Sequence, residues 1–515
     1  MYRVGIDVGG TNTDAALMQG RRVVHAVKTP TTADVTTGVL EALRQVTAGA
    51  GIAAAQLGAV MIGTTHFINA LVERRRLAAV GVLRLALPTT TAIPPLSGWP
   101  EEMRAALNVH SRMVDGGLEV DGREIAPLVP RQIQDFATDC SRRGIRHLVV
   151  SGVFSALDDS QERAAAQLIR EVYPTAQITL SSQIGQMGLL ERENAAILNA
   201  ALGDLAQLTV DAFAAALRAA GVSAPFFLTQ NDGTLMSAAT AARFPIMTVS
   251  SGPTNSMRGA AFLSGCADAI VVDIGGTTSD IGALVKGFPR QAGLAVELAG
   301  VRTNFRMPDV YCVGLGGGSL VSPDLASIGP QSVGYRLTSD ALVFGGSTLT
   351  ASDLAVAAGL AQLGEAAAVA HLDRQQARAC MDRIQQRLSD AIERVRTSAA
   401  IVPVVIVGGG SILVSADRLG ELPVVIPPHH GAANAVGAAM AQVSAQEDRV
   451  VDLAAMPAEA AIEAIRADVR ESLIAAGADP GSMAVVDVET LPLSYLPGQL
   501  TRIRVRMVGE LLLTD

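Results

Sequence analysis

The sequence predicts an α/β protein with two duplicated lobes around a cleft, followed by a small C-terminal α+β region. An internal repeat is the first observation behind this prediction: Val4–Asp14 and Ile270–Asp280 both read apolar strand, Asp, apolar residue, Gly-Gly, Thr, polar residue, hydroxyl residue, Asp. Strand-like and helical runs alternate through both halves, which is typical of covered, mostly parallel sheets. After about Gln446 the pattern changes to one amphipathic helix and two strands.

The first lobe is predicted to cover residues 1–188. The repeat forms a β-hairpin there, and a βαβ rhythm follows it. Strands are expected at 22–28, 59–62, 79–87, 147–151 and 176–181, and helices at 35–48, 64–74, 131–143 and 158–172. Residues 89–130 are rich in Pro, Gly and polar side chains, so we expect an inserted, partly β region.

The second lobe is predicted to cover residues 189–445, and the C-terminal region 446–515. One long helix at 189–220 is expected before the second hairpin, with a strand at 226–229 and a helix at 233–243. Helices at 351–362, 373–396 and 433–443 and a strand and glycine loop at 402–411 follow. The C-terminal region is expected to hold a helix at 457–475 and strands at 484–490 and 501–509.

Charge and composition exclude two classes of protein. The 515 residues include 40 Lys and Arg against 49 Asp and Glu, a net charge of −9. A broad nucleic-acid-binding surface needs an excess of cations facing phosphate, so we expect no nucleic-acid partner. Lys28 and Lys286 are the only lysines, and neither stands in a Gly-Lys-Ser/Thr loop, which excludes a P-loop NTPase.

Cysteine spacing and hydropathy bear on the compartment. The four cysteines are scattered and form no C-x-x-C pair, as in a reduced chain with buried thiols. The start lacks the basic and apolar regions of a signal peptide, and Pro or Gly interrupts the uncharged runs at 397–416 and 422–446. We therefore expect a cytoplasmic protein without a membrane span.

The repeated hairpins are the candidate phosphate sites. A Gly-Gly-Thr turn offers several backbone N–H groups to one anion, and its hydroxyls add donors. The candidate residues are Gly9, Gly10, Thr11, Asn12 and Thr13 in the first hairpin and Gly275, Gly276, Thr277 and Thr278 in the second. Asp7 and Asp273 precede the turns, where a carboxylate suits Mg²⁺ or Mn²⁺ better than phosphate. Two facing hairpins would bind a nucleotide triphosphate from both sides.

Two glycine loops compete for the adenosine. Val404–Val407 is an apolar strand that runs into Gly408, Gly409, Gly410 and Ser411, and bare backbone there could accept a base or ribose. The loop containing Gly316 and Gly317 is similar. Hydroxyl residues at 64–65 and 250–251 precede helices. These hydroxyls could contact an anionic ligand or could simply cap the helix, and the sequence leaves both roles open. The polar residues at 191–199 are interpreted as a solvated helix start.

The motifs, taken in order, resemble one family. No Gly-x-Ser-x-Gly or H-E-x-x-H motif occurs, which leaves ATP chemistry by positioning and electrostatics. The ordered set resembles the A-type subunit of the hydantoinase/oxoprolinase family, within the actin-like ATPase superfamily of sugar kinases, heat-shock chaperones and actin. The stretches that match are 7–14, 63–65 with 69–71, 191–200, 251–253, 273–280 and 316–319.

The resemblance implies two ribonuclease H-like lobes around a nucleotide cleft and ATP-dependent opening of a cyclic amide such as a hydantoin or lactam. ATP would phosphorylate the ring carbonyl oxygen, and water would then attack, commonly with help from a second, B-type subunit. Carried onto this chain, Asp7 and Asp273 would position the metal. Asp14, Asp280, Thr64 and Thr65 would border the transfer site.

Three other functions remain open, and we expect an oligomer in each case. They are a small-molecule kinase, an ATP-dependent activator of a partner enzyme, and a carboxylase subunit. The chain also departs from the family pattern at several positions. Asn12 stands where an aromatic residue is usual, Ile62 replaces a His, and Thr254-Asn255 replace Ala-Gly. The Pro-Gly-Pro segment expected after Pro330 is absent.

Overall fold

Each copy of the repeated hairpin begins its own β-sheet in the computed structural model of the chain. The structure describes residues 1–10, 12–31, 35–293, 295–493 and 499–513. Nine strands form the first sheet and seven the second, and residues 80–180 contribute a further four-stranded sheet. Helices cover these sheets, so the predicted α/β class is confirmed.

The first sheet is built around the first hairpin. Tyr2–Val8 pairs antiparallel with Asn12–Gln19 and parallel with Leu57–Thr64. Its alternate residues Val4 and Ile6 are fully buried and pack with the helix Val35–Gly49. The strand order is Ala484–Pro492, Leu500–Gly509, Val443–Asp452, Leu235–Ser237, Phe226–Thr229, Leu57–Thr64, Tyr2–Val8, Asn12–Gln19 and Arg22–Pro30.

The second sheet repeats this arrangement around the second hairpin. Ala269–Ile274 pairs antiparallel with Ser279–Val285 and parallel with Val404–Val407, as the first strand of the chain does with its own neighbours. The strand order is Phe288–Pro289, Ser279–Val285, Ala269–Ile274, Val404–Val407, Leu422–Val425 and Arg418–Leu419, and Val310–Val313 also pairs with Ser279–Val285. The predicted duplication is therefore present in the hydrogen bonding, not only in the sequence.

Two helices, Ser251–Ser264 and Ala433–Ala439, lie between the sheets. The first packs on the second sheet through Met257 and Ala260, and the second packs on the first sheet through Val436. The helices cross at very close range, because a Cβ on Gly259 would lie 1.8 Å from the Ala433 carbonyl oxygen. Only glycine fits at such a contact, so small residues set the distance between the two sheets.

The four-stranded sheet is parallel throughout and belongs to the first half of the chain. Its order is Val109–Asp115, Val80–Leu87, His147–Gly152 and Gln177–Leu180. Helices Pro130–Arg142 and Ser160–Val172 pack on it. The strand Val109–Asp115 and the short helix Glu101–Ala106 lie in the predicted insertion, which is partly β as expected.

The single helix predicted at 189–220 is wrong. The chain instead forms Leu189–Ala201 and Gly203–Ala219, bent by 49°. The His147 ring occupies the space beside Gly203, where a Cβ would lie 2.4 Å from the ring. The helix predicted at 233–243 is also shorter, since Leu235–Ser237 joins the first sheet and the helix covers Ala238–Arg243.

The C-terminal strands extend the first sheet. Val443–Asp452 pairs with Leu500–Gly509, which pairs with Ala484–Pro492, and the helix Ala458–Ala475 packs against them. A single parallel pair, Leu235 with Val443, connects these strands to the rest of the sheet. The domain boundaries at 188/189 and 445/446 stay predictions, and hydrogen bonding and packing continue across both.

The remaining elements complete the lobes. The other helices are His66–Glu73, Leu337–Asp340, Ala351–Ala357 and Arg374–Val395, and two small hairpins join Val296–Leu298 with Val301–Thr303 and Ser319–Val321 with Ile328–Ser332. Cys140 and Cys380 are buried thiols, but Cys312 is exposed, against expectation. Over the described ranges no single helix has the length and apolar character of a membrane span, and only the bent pair that begins at Leu189 passes that test.

Candidate functional site

Both hairpin turns have the same backbone geometry. The Gly9 N–H donates to the Asn12 carbonyl at 3.0 Å, and the Gly275 N–H donates to the Thr278 carbonyl at 2.9 Å. The second glycine of each turn, Gly10 or Gly276, faces open space, since a Cβ there would meet nothing within 4 Å. The turn tips are therefore free to approach a ligand. Thr277 is exposed at its tip, whereas Thr11 lies outside the described residues.

Asp7 stands at the end of the first strand and is almost fully buried. Its carboxylate accepts hydrogen bonds from the Asn255 amide at 2.8 Å and from the Asn434 amide at 3.0 Å. Burial raises the pKa of Asp7, and repulsion from Asp14 adds to this, while the two amides oppose it. A ligand that brings positive charge would stabilise this carboxylate.

Asp14 shares one of these partners. The Asn434 amide also donates to Asp14 at 2.7 Å, so one side chain bridges the two acids of the first hairpin. Lys28, on the third strand, forms an ion pair with Asp14 at 2.6 Å. The lysine side chain remains 42% exposed, so its ammonium can also contact a ligand in the cleft.

Asp273 is the equivalent acid of the second hairpin. The Ser256 hydroxyl donates to its carboxylate at 2.5 Å. The carboxylate remains partly exposed, yet burial raises the pKa of Asp273 to about 6, with Ser256 opposing the rise and Asp280 adding to it. This acid therefore titrates close to neutral pH when no cation is present.

The two hairpins share one cleft. Asn255 and Ser256, the partners of Asp7 and Asp273, are neighbours on the helix Ser251–Ser264. In addition, the charges of Lys28 and Asp14 in the first hairpin act on the pKa of Asp273 in the second. The two predicted metal acids are thus held by one helix, and charged groups of the first hairpin lie near the acid of the second.

The two candidate adenosine loops both pack against the second hairpin turn. The Gly317 N–H donates to the Gly275 carbonyl at 3.0 Å. A Cβ on Gly316 or Gly410 would lie 2.7–2.8 Å from the backbone of that turn. Gly409, by contrast, faces open space, and Gly408, which carries a positive φ of 88°, approaches Asp273. Both loops border the second hairpin turn, and Ser411 is buried.

Four other predicted residues have their side chains engaged within the protein. Thr13 is fully buried and its hydroxyl pairs with Thr31 at 3.3 Å. The Thr64 hydroxyl accepts the His66 N–H at 3.1 Å, and Thr65 donates to the Val8 carbonyl at 3.3 Å. Burial raises the pKa of Asp280, which Cys312 contacts. These contacts engage the four side chains within the protein, and their predicted roles at the site stay predictions.

The expectation of a solvated helix start at 191–199 is wrong. Glu193 is fully buried and forms a two-pronged ion pair with the equally buried Arg84, at 2.5 and 2.8 Å. Asn194 accepts the Trp99 indole N–H at 2.7 Å. This polar surface joins the helix to the four-stranded sheet and its insertion.

Sequence reasoning missed Lys28, Ser256, Asn255 and Asn434 as site residues. Lys28 carried a signal, because it is one of only two lysines in the chain. Asn255 also stood out as a departure from the family pattern, and the structure gives it the contact to Asp7. For Asn434 and Ser256 we find no local signal, since only the crossing of the two helices brings them to the acids.

The donor set fits a magnesium nucleotide. Mg²⁺ prefers one or two carboxylates with phosphate and water, and Asp7 and Asp273 supply two. Across the residues that the structure covers, no group of three or more His, Cys, Asp or Glu side chains could hold a metal by itself. Two buried oxygens on the helix that holds the acids, Ser251 Oγ and Asn255 Oδ1, have no hydrogen-bond partner among the described residues. Such atoms are costly unless a ligand or its water meets them.

Comparisons with known proteins identify the family of the chain. The family model for the hydantoinase/oxoprolinase N-terminal region matches residues 3–173, and the hydantoinase/oxoprolinase model matches residues 192–402. The acetophenone carboxylase gamma subunit of Aromatoleum aromaticum is 26% identical over 397 residues, which cover 69% of this chain and 53% of the relative. The caprolactamase subunit alpha of Pseudomonas jessenii is 26% identical over 356 residues, 65% of this chain and 51% of the relative. The chain thus spans about half the length of these curated relatives.

Solved structures carry the same fold. The ATP-dependent caprolactamase from Pseudomonas jessenii superposes with a TM-score of 0.78 at 19% identity, covering 99% of this chain and 88% of the other. Nucleotide-free acetone carboxylase gives a TM-score of 0.66 at 19% identity, covering 100% and 88%. The duplicated sheets and these likenesses define an actin-like ATPase fold. With both family models matched over most of its length, the chain belongs to the hydantoinase/oxoprolinase family.

Proposed function

We propose that this chain is an ATP-dependent hydrolase, or the ATP-using subunit of one, that opens a cyclic amide such as a hydantoin or lactam. One observation carries the proposal: the acids of two duplicated phosphate hairpins, Asp7 and Asp273, are held at one cleft by neighbouring residues of a single helix. An amide carbonyl is a weak electrophile, and phosphorylation of its oxygen would open the carbonyl carbon to attack by water. Cleavage of the ring C–N bond would then release the amine and leave an acyl phosphate, which a second water would hydrolyse to the carboxylate and phosphate. A cleft that positions a triphosphate supplies this activation.

Different groups of the chain would bind phosphate, hold the metal and orient the acids. The backbone N–H groups around Gly10 and Gly276 would bind phosphate oxygens, and Lys28 would place its ammonium beside them. Asp7 and Asp273 would hold Mg²⁺, whose bound nucleotide supplies the phosphoryl group. Asn434 fixes the orientation of Asp7, so the carboxylate is preorganised before any ligand arrives.

Support for a cyclic amide comes from the family and from a relative named as a caprolactamase subunit. The second candidate is a carboxylase subunit, because another relative is named as a carboxylase subunit and the fold matches acetone carboxylase. Both relatives are subunits, so we also propose a partner subunit for this chain. A cytoplasmic location and an oligomeric state remain predictions.

The decisive experiment measures phosphate release from ATP with and without substrate. The purified chain, alone and with the product of a neighbouring gene, is supplied with hydantoins, lactams, ketones plus bicarbonate, sugars, or ATP alone. We expect release to depend on a hydantoin or lactam and to follow ring opening, detected by mass spectrometry. Release that depends on a ketone plus bicarbonate supports the carboxylase instead, and phosphorylation of a sugar supports a kinase.

The substitution Asp273→Asn tests the proposed metal role of this acid. It removes the metal-binding charge and keeps the shape, so turnover should fall by about 10²-fold or more while the circular-dichroism melt stays at least as high. Asp382→Asn, on the exposed face of the helix Arg374–Val395, is the control and should keep full turnover. Unchanged turnover in Asp273→Asn would refute the metal assignment.

A further inference from the structure

We propose that a cavity between the four-stranded sheet and the helices Gly203–Ala219 and Ala238–Arg243 binds a small organic dianion. Such a ligand carries two negative charges on a short aliphatic body, as a dicarboxylate or a phosphate monoester does. Binding in this cavity does not depend on which reaction the nucleotide cleft performs.

The cavity has a volume of about 860 Å³, within the range of small-molecule sites. Its walls are the strand Gln177–Leu180, the bend between the helices Leu189–Ala201 and Gly203–Ala219, and the helix Ala238–Arg243. None of the described residues that line it belongs to a repeated hairpin or to a glycine loop. The cavity is therefore distinct from the nucleotide cleft.

Positive charge is in surplus along these walls. Three arginines line the cavity, Arg146, Arg170 and Arg243, and in the part of the chain that the structure describes none of them forms an ion pair with a carboxylate. Asp204 is the one carboxylate among the described lining residues, and it pairs with His147 at 2.8 Å. A concave surface with charge of one sign concentrates its field on a ligand of the opposite sign.

Neighbouring groups do not remove this surplus. Arg243 donates to the Gln183 side-chain carbonyl at 2.9 Å and lies 4.8 Å from the Phe244 ring centre, and both contacts leave its charge in place. Glu171 and Asp211 are close in sequence to the walls but do not line the cavity, and each accepts a hydrogen bond from a glutamine.

The strand at the cavity wall has an open edge. Gln177–Leu180 is the last strand of the four-stranded sheet and pairs only with His147–Gly152 there. The Gln177 N–H donates to the Arg146 carbonyl at 2.8 Å. Since alternate residues of a parallel strand bond to the same neighbour, the N–H and carbonyl of Ile178 face the open edge. Ile178 lines the cavity, so its N–H is a fixed donor for an anionic oxygen.

A buried hydroxyl supplies a second donor. The Asn199 amide donates to the Arg243 carbonyl at 3.0 Å and to the Thr179 hydroxyl at 3.5 Å, which fixes this part of the wall. Thr179 is buried and lines the cavity, and over the described ranges no acceptor takes its hydroxyl proton. An oxygen of the ligand would satisfy this donor.

Apolar groups complete the lining. Leu208 is 69% exposed although it lies at the cavity, and Ala239 and Ala242 add methyl groups to the same lining. An inorganic anion would leave these groups in water. A short aliphatic chain between or beside the charged groups of the ligand would cover them, which favours an organic dianion.

The test measures thermal unfolding of the whole chain without ATP, at pH 7.5 and constant ionic strength. Succinate and glycerol 3-phosphate are the two dianions, and succinamide and glycerol are their neutral counterparts. We expect at least one dianion to give a saturable rise in Tm of about 1–3 °C and 1:1 binding by calorimetric titration, whereas the neutral molecules give none. The dianion with the higher affinity identifies the preferred acidic group.

Two variants make the result specific to the cavity. The double variant Arg146→Gln/Arg170→Gln removes two exposed cations and should weaken binding by about tenfold or more. Arg142→Gln/Arg218→Gln is the matched control, because it removes the same charge from exposed positions outside the cavity, and it should bind as the wild-type chain does. Ala239→Phe keeps every charge but fills the cavity, so it should abolish binding.

Several outcomes would overturn the proposal. These are no saturable rise with either dianion, an equal rise with the neutral counterparts, or unchanged affinity in Arg146→Gln/Arg170→Gln. Binding that survives in Ala239→Phe would place the anion elsewhere, for example at the phosphate hairpins. An acidic peptide of alternating Glu and Val that binds more tightly than both dianions would make the open strand edge a docking site for a protein segment instead.

Discussion

Asn255 and Ser256 follow one another on the helix Ser251–Ser264, yet they hydrogen-bond to carboxylates of different hairpins, Asp7 at 2.8 Å and Asp273 at 2.5 Å. One rigid helix therefore sets the separation of the two acids. A shift of the helix relative to either sheet moves one partner away from its acid. The site is thus coupled to the way the sheets pack, although each acid belongs to a local motif.

Ser256 should control the pH dependence of turnover. The pKa of Asp273 is raised to about 6 mainly by burial, and the Ser256 hydroxyl, which favours the ionised form, holds it from rising further. In the proposed function Asp273 holds the metal as a carboxylate, so Ser256→Ala should move the acid limb of the turnover profile to higher pH by about one unit. The profile is measured at fixed free Mg²⁺ in both proteins, so titration of ATP itself cancels. Identical acid limbs would contradict this role.

The raised pKa of Asp273 also makes the stability of the folded protein depend on pH. The folded-state pKa of Asp273 lies above its ordinary value of 3.8, so the native protein binds more protons than the unfolded chain between about pH 4 and 6. The contribution of this group to stability is present below that window and is lost as the pH rises through it. Asp273→Asn should therefore flatten the decline in urea midpoint over this pH range.

Lys28 should be needed for nucleotide binding. It pairs with Asp14 at 2.6 Å and keeps 42% of its side chain exposed at the cleft. Lys28→Met removes the cation and keeps the length of the side chain, so we expect KM for ATP to rise about tenfold or more. Lys286→Met alters the only other lysine, which lies on an exposed turn, and should leave KM unchanged. Equal effects of the two substitutions would show that overall charge, rather than position, is responsible.

The hairpins and glycine loops could be predicted from the sequence because their geometry is local. Asp7 and Asp273 each stand next to the turn they serve, and the spacing alone defines both positions. The break between Leu189–Ala201 and Gly203–Ala219 carries no local signal in the sequence, and the His147 ring that lies beside Gly203 comes from a strand 57 positions before the adjacent Asp204. The pairing of Leu235 with Val443, which connects the C-terminal strands to the first sheet, could not be predicted either.

Polar residues were the hardest to interpret for the same reason. Asn434 reads as an ordinary residue in an alanine-rich helix until the fold places it between Asp7 and Asp14. Glu193 reads as part of a solvated helix start until Arg84, 109 positions earlier, arrives beside it. Local patterns define what a backbone turn can bind, whereas the partner of a polar side chain depends on packing between distant segments.

Gly259 should be intolerant of a single methyl group. Alanine is normally better than glycine inside a helix by about 1 kcal/mol, so propensity alone predicts stabilisation. The Cβ of Gly259→Ala would lie 1.8 Å from the Ala433 carbonyl oxygen, so overpacking should reverse the sign and destabilise by about 2 kcal/mol or more. Gly431→Ala, where a Cβ meets nothing within 4 Å, is the control. Urea midpoints of both variants give the answer, and a stabilised Gly259→Ala would mean that the helices can separate freely.

In the buried pair Arg84–Glu193, the substitution of one partner should destabilise the protein far more than the pair's size suggests, whereas the substitution of both by apolar residues should restore part of the loss. Both side chains are fully buried, and removal of one leaves an uncompensated charge where water cannot reach it. Arg84→Met and Glu193→Leu should each destabilise the protein by about 3–5 kcal/mol, but the double variant should lose clearly less than the sum, because no buried charge remains. The urea midpoints of the four proteins form a double-mutant cycle. Ser151, which donates to Glu193 at 2.5 Å, loses its acceptor in the double variant, so full recovery is not expected. Simple additivity would show that water enters this interface and solvates each charge separately, in conflict with the burial seen here.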